Sequence, residues 1–247
     1  MIRLKSRPNE AVRLTKKCDR SMLLIFDVDG TLVDSQNLIY AAQCATFAAH
    51  GLPAPSREKV LSLVGLSLGP TFEALVGKDG PVAELDATYR TLFNQVLSDP
   101  AHHEPLFPHV TETLRELAGM EGVTLGVATG KSVRGIMRVM KEHGWEDLFT
   151  TVQTADTHPS KPHPSMLHAA MADTGKPAEL TCFIGDTAWD MRMAQAAGVA
   201  GIGVNWGYHP VADLQAAGAR TILSSMRDMI GLVDQIKQQG AVAECFT

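Results

Sequence analysis

The chain has 247 residues, of which 45% are apolar and 20% charged, which suits one well-packed domain or a core domain carrying a smaller one. A formal net charge of −5, with no basic cluster in the body of the chain, speaks against nucleic-acid binding, and no apolar run approaches the roughly 20 residues that span a bilayer. The 4 cysteines are scattered, with no CxxC pair or close Cys/His grouping, so neither a disulfide framework nor a zinc site is expected and a reducing cytoplasm is the default location.

In chain order, residues 1–20 form a basic leader with Arg3, Lys5, Arg7, Arg13, Lys16, Lys17 and Arg20 against Glu10 and Asp19. It lacks the apolar core of a secretory signal and is expected to be disordered, with no part in the chemistry. Short β-branched apolar segments at 22–28, 123–129, 181–185 and 200–205 read as buried parallel strands, with weaker candidates at 150–153 and 221–223. Helical patterns follow at 133–143, 165–173, 189–197 and 226–238, and Gly144, Gly175 and Gly198 supply C-terminal stops.

One connection breaks this alternation. Between residue 28 and residue 123 no strand pattern occurs; the segments 35–50, 56–64, 70–76 and 81–98 read as helices instead. The expected organisation is therefore an α/β core of Rossmann-like parallel sheet built from 21–34 and 107–240. A small α-helical cap, 35–106, is inserted after the first strand, above the end of the sheet where open α/β sheets bind ligands.

The strongest chemical signal is the string from Phe26 to Ser35, in which a buried strand runs into Asp27 and Asp29 and then a Gly-Thr turn. Two carboxylates this close raise each other's pKa, and a divalent cation with oxygen ligands relieves the repulsion. The alternative for a bare DxD is a solvated loop with a turn glycine. Further along, Thr129-Gly130-Lys131 ends a strand, Lys161 sits between Ser160 and Pro162, and Gly185-Asp186 precedes Asp190 at another strand end. Taken alone, a strand-end threonine is usually a helix cap and a lone lysine a solvated side chain.

Together and in this order, the four segments resemble the signatures of the haloacid dehalogenase superfamily, and the resemblance extends over about 22–232. It implies a Mg²⁺-dependent phosphomonoester hydrolase. Asp27 would be the covalent nucleophile and Asp29 the general acid and base. Thr129, the Gly130 amide and Lys161 would bind the phosphoryl group. Mg²⁺ would rest on Asp27, the Asp29 main-chain carbonyl and Asp186, with Asp190 as ligand or one layer behind. Asp29 separates phosphatases from the related dehalogenases, which lack an acid there because halide leaves without a proton. Phosphoglucomutase-like relatives carry an acidic residue at the position of Gly185, so glycine favours hydrolysis.

The helical insertion and Gly130-Lys131-Ser132 resemble phosphoglycolate phosphatases, which implies a small phosphorylated metabolite as partner, with 2-phosphoglycolate the leading candidate. Sugar phosphates, pyrophosphate and nucleotides are the alternatives, and a non-catalytic binding protein on the same scaffold is the reading from another class. Gly65, in a sharp turn between cap helices, is either a substrate-facing loop or an ordinary interhelix turn. Lys131 meets either a substrate carboxylate or solvent. Histidines 102, 103, 109, 158 and 163 have no metal-site spacing, so no second metal is expected. The turn from Trp206 to Pro210 reads as packed rather than as a site entrance. Monomer and homodimer remain open.

Overall fold

The computed structural model describes residues 21–239, so the basic leader lies outside the described residues. Six strands form one parallel sheet: β1 (Met22–Phe26), β2 (Val123–Thr129), β3 (Thr151–Thr154), β4 (Thr181–Gly185), β5 (Ala200–Val204) and β6 (Thr221–Leu223). Their spatial order is β3-β2-β1-β4-β5-β6, the doubly wound order in which β1 lies at the switch point between the two halves. β1 is buried along its whole length, as an apolar strand covered on both faces must be. On one face α5 (Val110–Gly119), α6 (Val133–His143) and α10 (Asp228–Gln239) close over Leu24, Phe26, Val127 and Ile184. On the other, α7 (Ser165–Thr174) and α8 (Ala188–Ala197) close over Leu23, Ile25 and Phe183.

Between β1 and β2 the chain leaves the sheet and forms α1 (Gln36–Ala49), α2 (Arg57–Leu61), α3 (Leu68–Val76) and α4 (Val82–Leu97). These helices enclose an apolar cluster of their own around Phe47, Phe72, Leu85 and Tyr89. The outgoing and returning chains lie side by side: Asp34 N donates to Pro105 O at 2.8 Å and Phe107 N to Leu32 O at 3.1 Å. Among the described residues no helix is long and apolar enough to cross a membrane.

The strands fall where the sequence places them, within two residues; β1 ends at Phe26 rather than at residue 28. Two helices were not expected: α5, whose N-cap is His109 rather than a capping side chain, and the six-residue α9 (Val211–Ala216) after Pro210. The expected helix at 56–64 ends at Leu61, because the chain then turns through Ser62–Leu66 toward the site.

Candidate active site

The carboxyl ends of β1, β2 and β4 converge, and each delivers one part of the site. Asp27 follows β1 and is fixed by its own amide, which donates to Ile184 O at 2.9 Å. Asp186 follows β4, and Asp190 lies one turn further on, in α8. Asp27, Asp186 and Asp190 are all buried, and one carboxylate oxygen from each lies within 4.8 Å of the others. Gly30, at φ 82°, makes the turn that brings Thr31 back onto Asp186; a Cβ there would fall 2.1 Å from Asp186 Oδ2. Asp186 Oδ1 accepts from Thr31 Oγ1 at 2.9 Å, and its Oδ2 from Tyr208 N at 2.9 Å.

Lys161, fully buried, joins the set from the loop before α7. Its Nζ lies 2.8 Å from Asp27 Oδ1 and 2.7 Å from Asp190 Oδ1. Asp190 Oδ2 accepts from Thr187 N at 2.9 Å and from Thr187 Oγ1 at 2.7 Å, while Thr187 caps α8. Both Asp190 oxygens are thus engaged by protein donors. Asp27 Oδ2, by contrast, has no hydrogen-bond partner.

These charges do not balance: three buried carboxylates face one ammonium. Burial pushes the Asp27 carboxyl up to about 7; Lys161 opposes this, and Asp190 and Asp29 add to it. Burial likewise holds Asp186 well above the ordinary carboxylate range, with Asp190 and Asp27 adding to the effect. Burial works against the charge on Lys161, yet Asp190 and Asp27 together keep its ammonium above the usual lysine value. An all-oxygen set with surplus negative charge and an unpartnered carboxylate oxygen fits a hard divalent cation.

Asp29 lies nearer the opening. Its Oδ1 takes both a hydrogen bond from Ser35 Oγ and the Lys131 ammonium, the latter at 2.8 Å. Lys131 also meets Glu104 Oε1 at 2.8 Å, and Arg138 pairs with the other Glu104 oxygen. The Lys131 side chain is only 8% exposed, so the solvent-facing reading of this lysine is corrected: its ammonium is held between two carboxylates. Thr129 is buried, and its Oγ1 accepts from Lys131 N at 3.2 Å.

A cavity of about 770 Å³ opens above Asp27 and Asp29 and is bordered by Gly65, Gly130 and Lys131 among others. Thr129, Lys161, Asp186 and Asp190 do not border it; Lys161 and the two aspartates lie against Asp27, which does. Gly65 belongs to the loop that descends from the insertion. A Cβ on Gly130 would lie 3.1 Å from Gly65 O and 3.2 Å from Leu66 O, so the two glycine turns touch through bare backbone. The turn after β5 is packed, as expected, but it packs on the acidic cluster. Besides the Tyr208 amide, Trp206 Nε1 donates to Thr31 O at 3.0 Å, and Tyr208 Oη accepts from Ser35 N at 2.9 Å. Of the residues that sequence reasoning did not assign to the site, Ser35 carried a signal as the last residue of the first motif string. Tyr208 lies in the turn weighed as a site entrance and read as packed, while Glu104 and Arg138 carried no signal, since a loop glutamate and a helical arginine are ordinary in their contexts.

A family model described as haloacid dehalogenase-like hydrolase matches residues 24–204 of the chain. The chain belongs to the haloacid dehalogenase-like hydrolases. The probable phosphatase IndB of Dickeya dadantii is 37% identical over 215 residues, covering 85% of this chain and 92% of the relative. A phosphoglycolate phosphatase of Vibrio parahaemolyticus is 30% identical over 223 residues, covering 85% of this chain and 95% of the relative. A solved haloacid dehalogenase-like hydrolase from Streptococcus pneumoniae superposes with a TM-score of 0.75 at 25% identity, covering 86% of this chain and 98% of that one.

Proposed function

We propose that this haloacid dehalogenase-like hydrolase is a Mg²⁺-dependent phosphatase that cleaves phosphomonoesters through a phosphorylated Asp27. The observation that carries the reading is the Asp27 carboxylate itself: buried at a strand end, tethered at Oδ1 by Lys161 and unpartnered at Oδ2. Asp27, the main-chain carbonyl of Asp29 and Asp186 would hold the cation. Asp190, with both oxygens occupied, would stand behind them as the anchor of Lys161. A bound Mg²⁺ supplies charge neutralisation for the phosphoryl group and for the carboxylate approaching it.

The chain's own groups perform the rest. An Asp27 oxygen forms a bond to phosphorus while the bond from phosphorus to the ester oxygen breaks, and Asp29 gives its proton to the departing alkoxide. Both contacts to Asp29 fall on Oδ1, which leaves Oδ2 to meet that oxygen. Asp29 then takes a proton from the water that attacks phosphorus, and the bond between phosphorus and Asp27 breaks to release phosphate. Lys161, Thr129 and the Gly130 amide face the transferring oxygens, placing positive charge where negative charge accumulates. The insertion, 35–106, serves as the cap over the site, and a small phosphorylated metabolite is the substrate. The name of the Vibrio relative makes 2-phosphoglycolate the first compound to assay.

Phosphate release from a panel of phosphomonoesters, with Mg²⁺ or with EDTA, tests this directly. The wild type releases phosphate only with Mg²⁺, and Asp27→Asn releases none above background. Wild-type turnover by Asp27→Asn removes the covalent mechanism.

A further inference from the structure

The cavity over Asp27 and Asp29 is large for a compact substrate. Its volume of about 770 Å³ lies within the roughly 300–1,000 Å³ typical of pockets that enclose drug-sized ligands. The insertion is already seated on the core at this volume: Ser67 N donates to Ser160 Oγ at 2.9 Å, and Trp189 Nε1 to Ser62 O at 3.2 Å. A two-carbon acid phosphate leaves most of that space to water.

The cations that border the cavity point the same way. Lys131, the residue expected to meet a small substrate carboxylate, is held between Asp29 and Glu104. Arg138 is held by Glu104 and Glu142, and Arg90 by Asp86. Among the described residues, Arg134, exposed near the start of α6, is the bordering cation with no ion pair.

The insertion side presents an aromatic wall. Tyr89 and Phe93 both border the cavity, with ring centroids 5.6 Å apart, and Tyr89 is braced from behind by Phe72 at 5.9 Å in an edge-on arrangement. Two rings fixed in this way, their planes 41° apart, offer apolar area at little ordering cost. Beside them on α1, Gln43 also borders the cavity. Gln43 is 2% exposed, and its Oε1 has no hydrogen-bond partner. A buried acceptor left unpaired is costly, and a donor on a ligand relieves that cost.

Taking the phosphatase reading as its footing, we infer that the substrate is the phosphomonoester of a ring-bearing alcohol. Its ring lies against Tyr89 and Phe93, it donates a hydrogen bond to Gln43, and its polar far end meets Arg134. The pocket thereby recognises the alcohol as well as the phosphate, and a two-carbon acid phosphate makes few of these contacts.

The test compares kcat/KM, with Mg²⁺, for 2-phosphoglycolate, benzyl phosphate and a nucleoside 5′-monophosphate. The last two both carry a ring, but only the nucleoside ester carries donors. The nucleoside ester is expected to exceed 2-phosphoglycolate by roughly tenfold or more, the discrimination that unpaired buried polar groups and an empty pocket impose. Phe93→Ala raises KM for both ring esters. Gln43→Leu penalises the nucleoside ester more than benzyl phosphate, and Gln43→Glu, which keeps an acceptor, recovers part of the loss. Melting curves confirm that each variant is folded. A kcat/KM for 2-phosphoglycolate equal to or above those of both ring esters overturns the inference and leaves the phosphatase reading standing. Folded wild type that hydrolyses none of the esters with Mg²⁺ takes the phosphatase reading down, and the inference with it.

Discussion

Asp27 carries the clearest physical signature in the molecule, a carboxyl that burial pushes up to about 7 from an ordinary value of 3.8. Its proton is held more tightly in the folded chain than in the unfolded one. Without a divalent cation, the Asp27 contribution to stability therefore falls as pH rises from about 4 to about 7, where the unfolded chain has already released the proton, and Asp186, shifted in the same direction, adds to the fall. A cation takes the ionised form, so its binding strengthens over the same interval. The expected outcome is a rise in Tm on adding Mg²⁺ that is small near pH 5 and large near pH 8. A Mg²⁺ shift that is flat with pH, or that shrinks toward pH 8, contradicts the assignment of the cation to this cluster. At this scale the sequence was informative wherever chemistry is coded by spacing: Asp27, Asp29, Lys161, Asp186 and Asp190 are brought together. It was silent on Glu104, because a contact across 27 positions to Lys131 depends on how the insertion returns to the core and leaves no local pattern.

Helix α8 shows how an element can serve fold and site at once. Thr187 caps it with a reciprocal pair of bonds to Asp190, satisfying amides that an α-helix leaves open at its start. The same Asp190 holds Lys161, so helix capping and the tether on Asp27 share one carboxylate. Thr187→Ala is expected to cost about 1–2 kcal/mol, read as a lower Tm and a lower denaturant midpoint. An unshifted midpoint means that the cap contributes nothing. Gly185, just before this turn, has no room for a larger side chain, since a Cβ there would fall 2.5 Å from Asp190 Cγ. Among the elements, the strands were legible because buried parallel strands are short continuous apolar runs with sharp ends. α5 and α9 were not: the first begins without a capping side chain, and the second is too short for a helical period to repeat.

In the whole molecule, the doubly wound sheet sets β1 at its switch point, and the insertion rests over that point through a close backbone approach as well as side-chain bonds. The meeting of Gly65 and Gly130 is close enough that one methyl group disturbs it. Gly130→Ala is expected to lower kcat/KM by roughly tenfold or more while the core stays folded, since small displacements of a positioning loop carry large rate penalties. Wild-type kinetics in that variant means that this contact does not position the loop. The presence of an insertion was legible from the strand-free gap between residues 28 and 123. How it seats on the core was not, because a backbone-to-backbone approach and side-chain contacts between residues far apart in sequence leave no local pattern.

The paired backbone around residues 33 and 106 has a further meaning. Val33 and Leu106 form an antiparallel bridge, so the chain departs for the insertion and comes back at nearly the same place. Closing a loop costs only the logarithm of its length, and here the ends are already joined whatever lies between them. Descendants of this gene can therefore lengthen, shorten or exchange the intervening helices with little thermodynamic effect on the sheet. Substrate choice and the phosphoryl machinery are then free to evolve at separate rates within a single polypeptide.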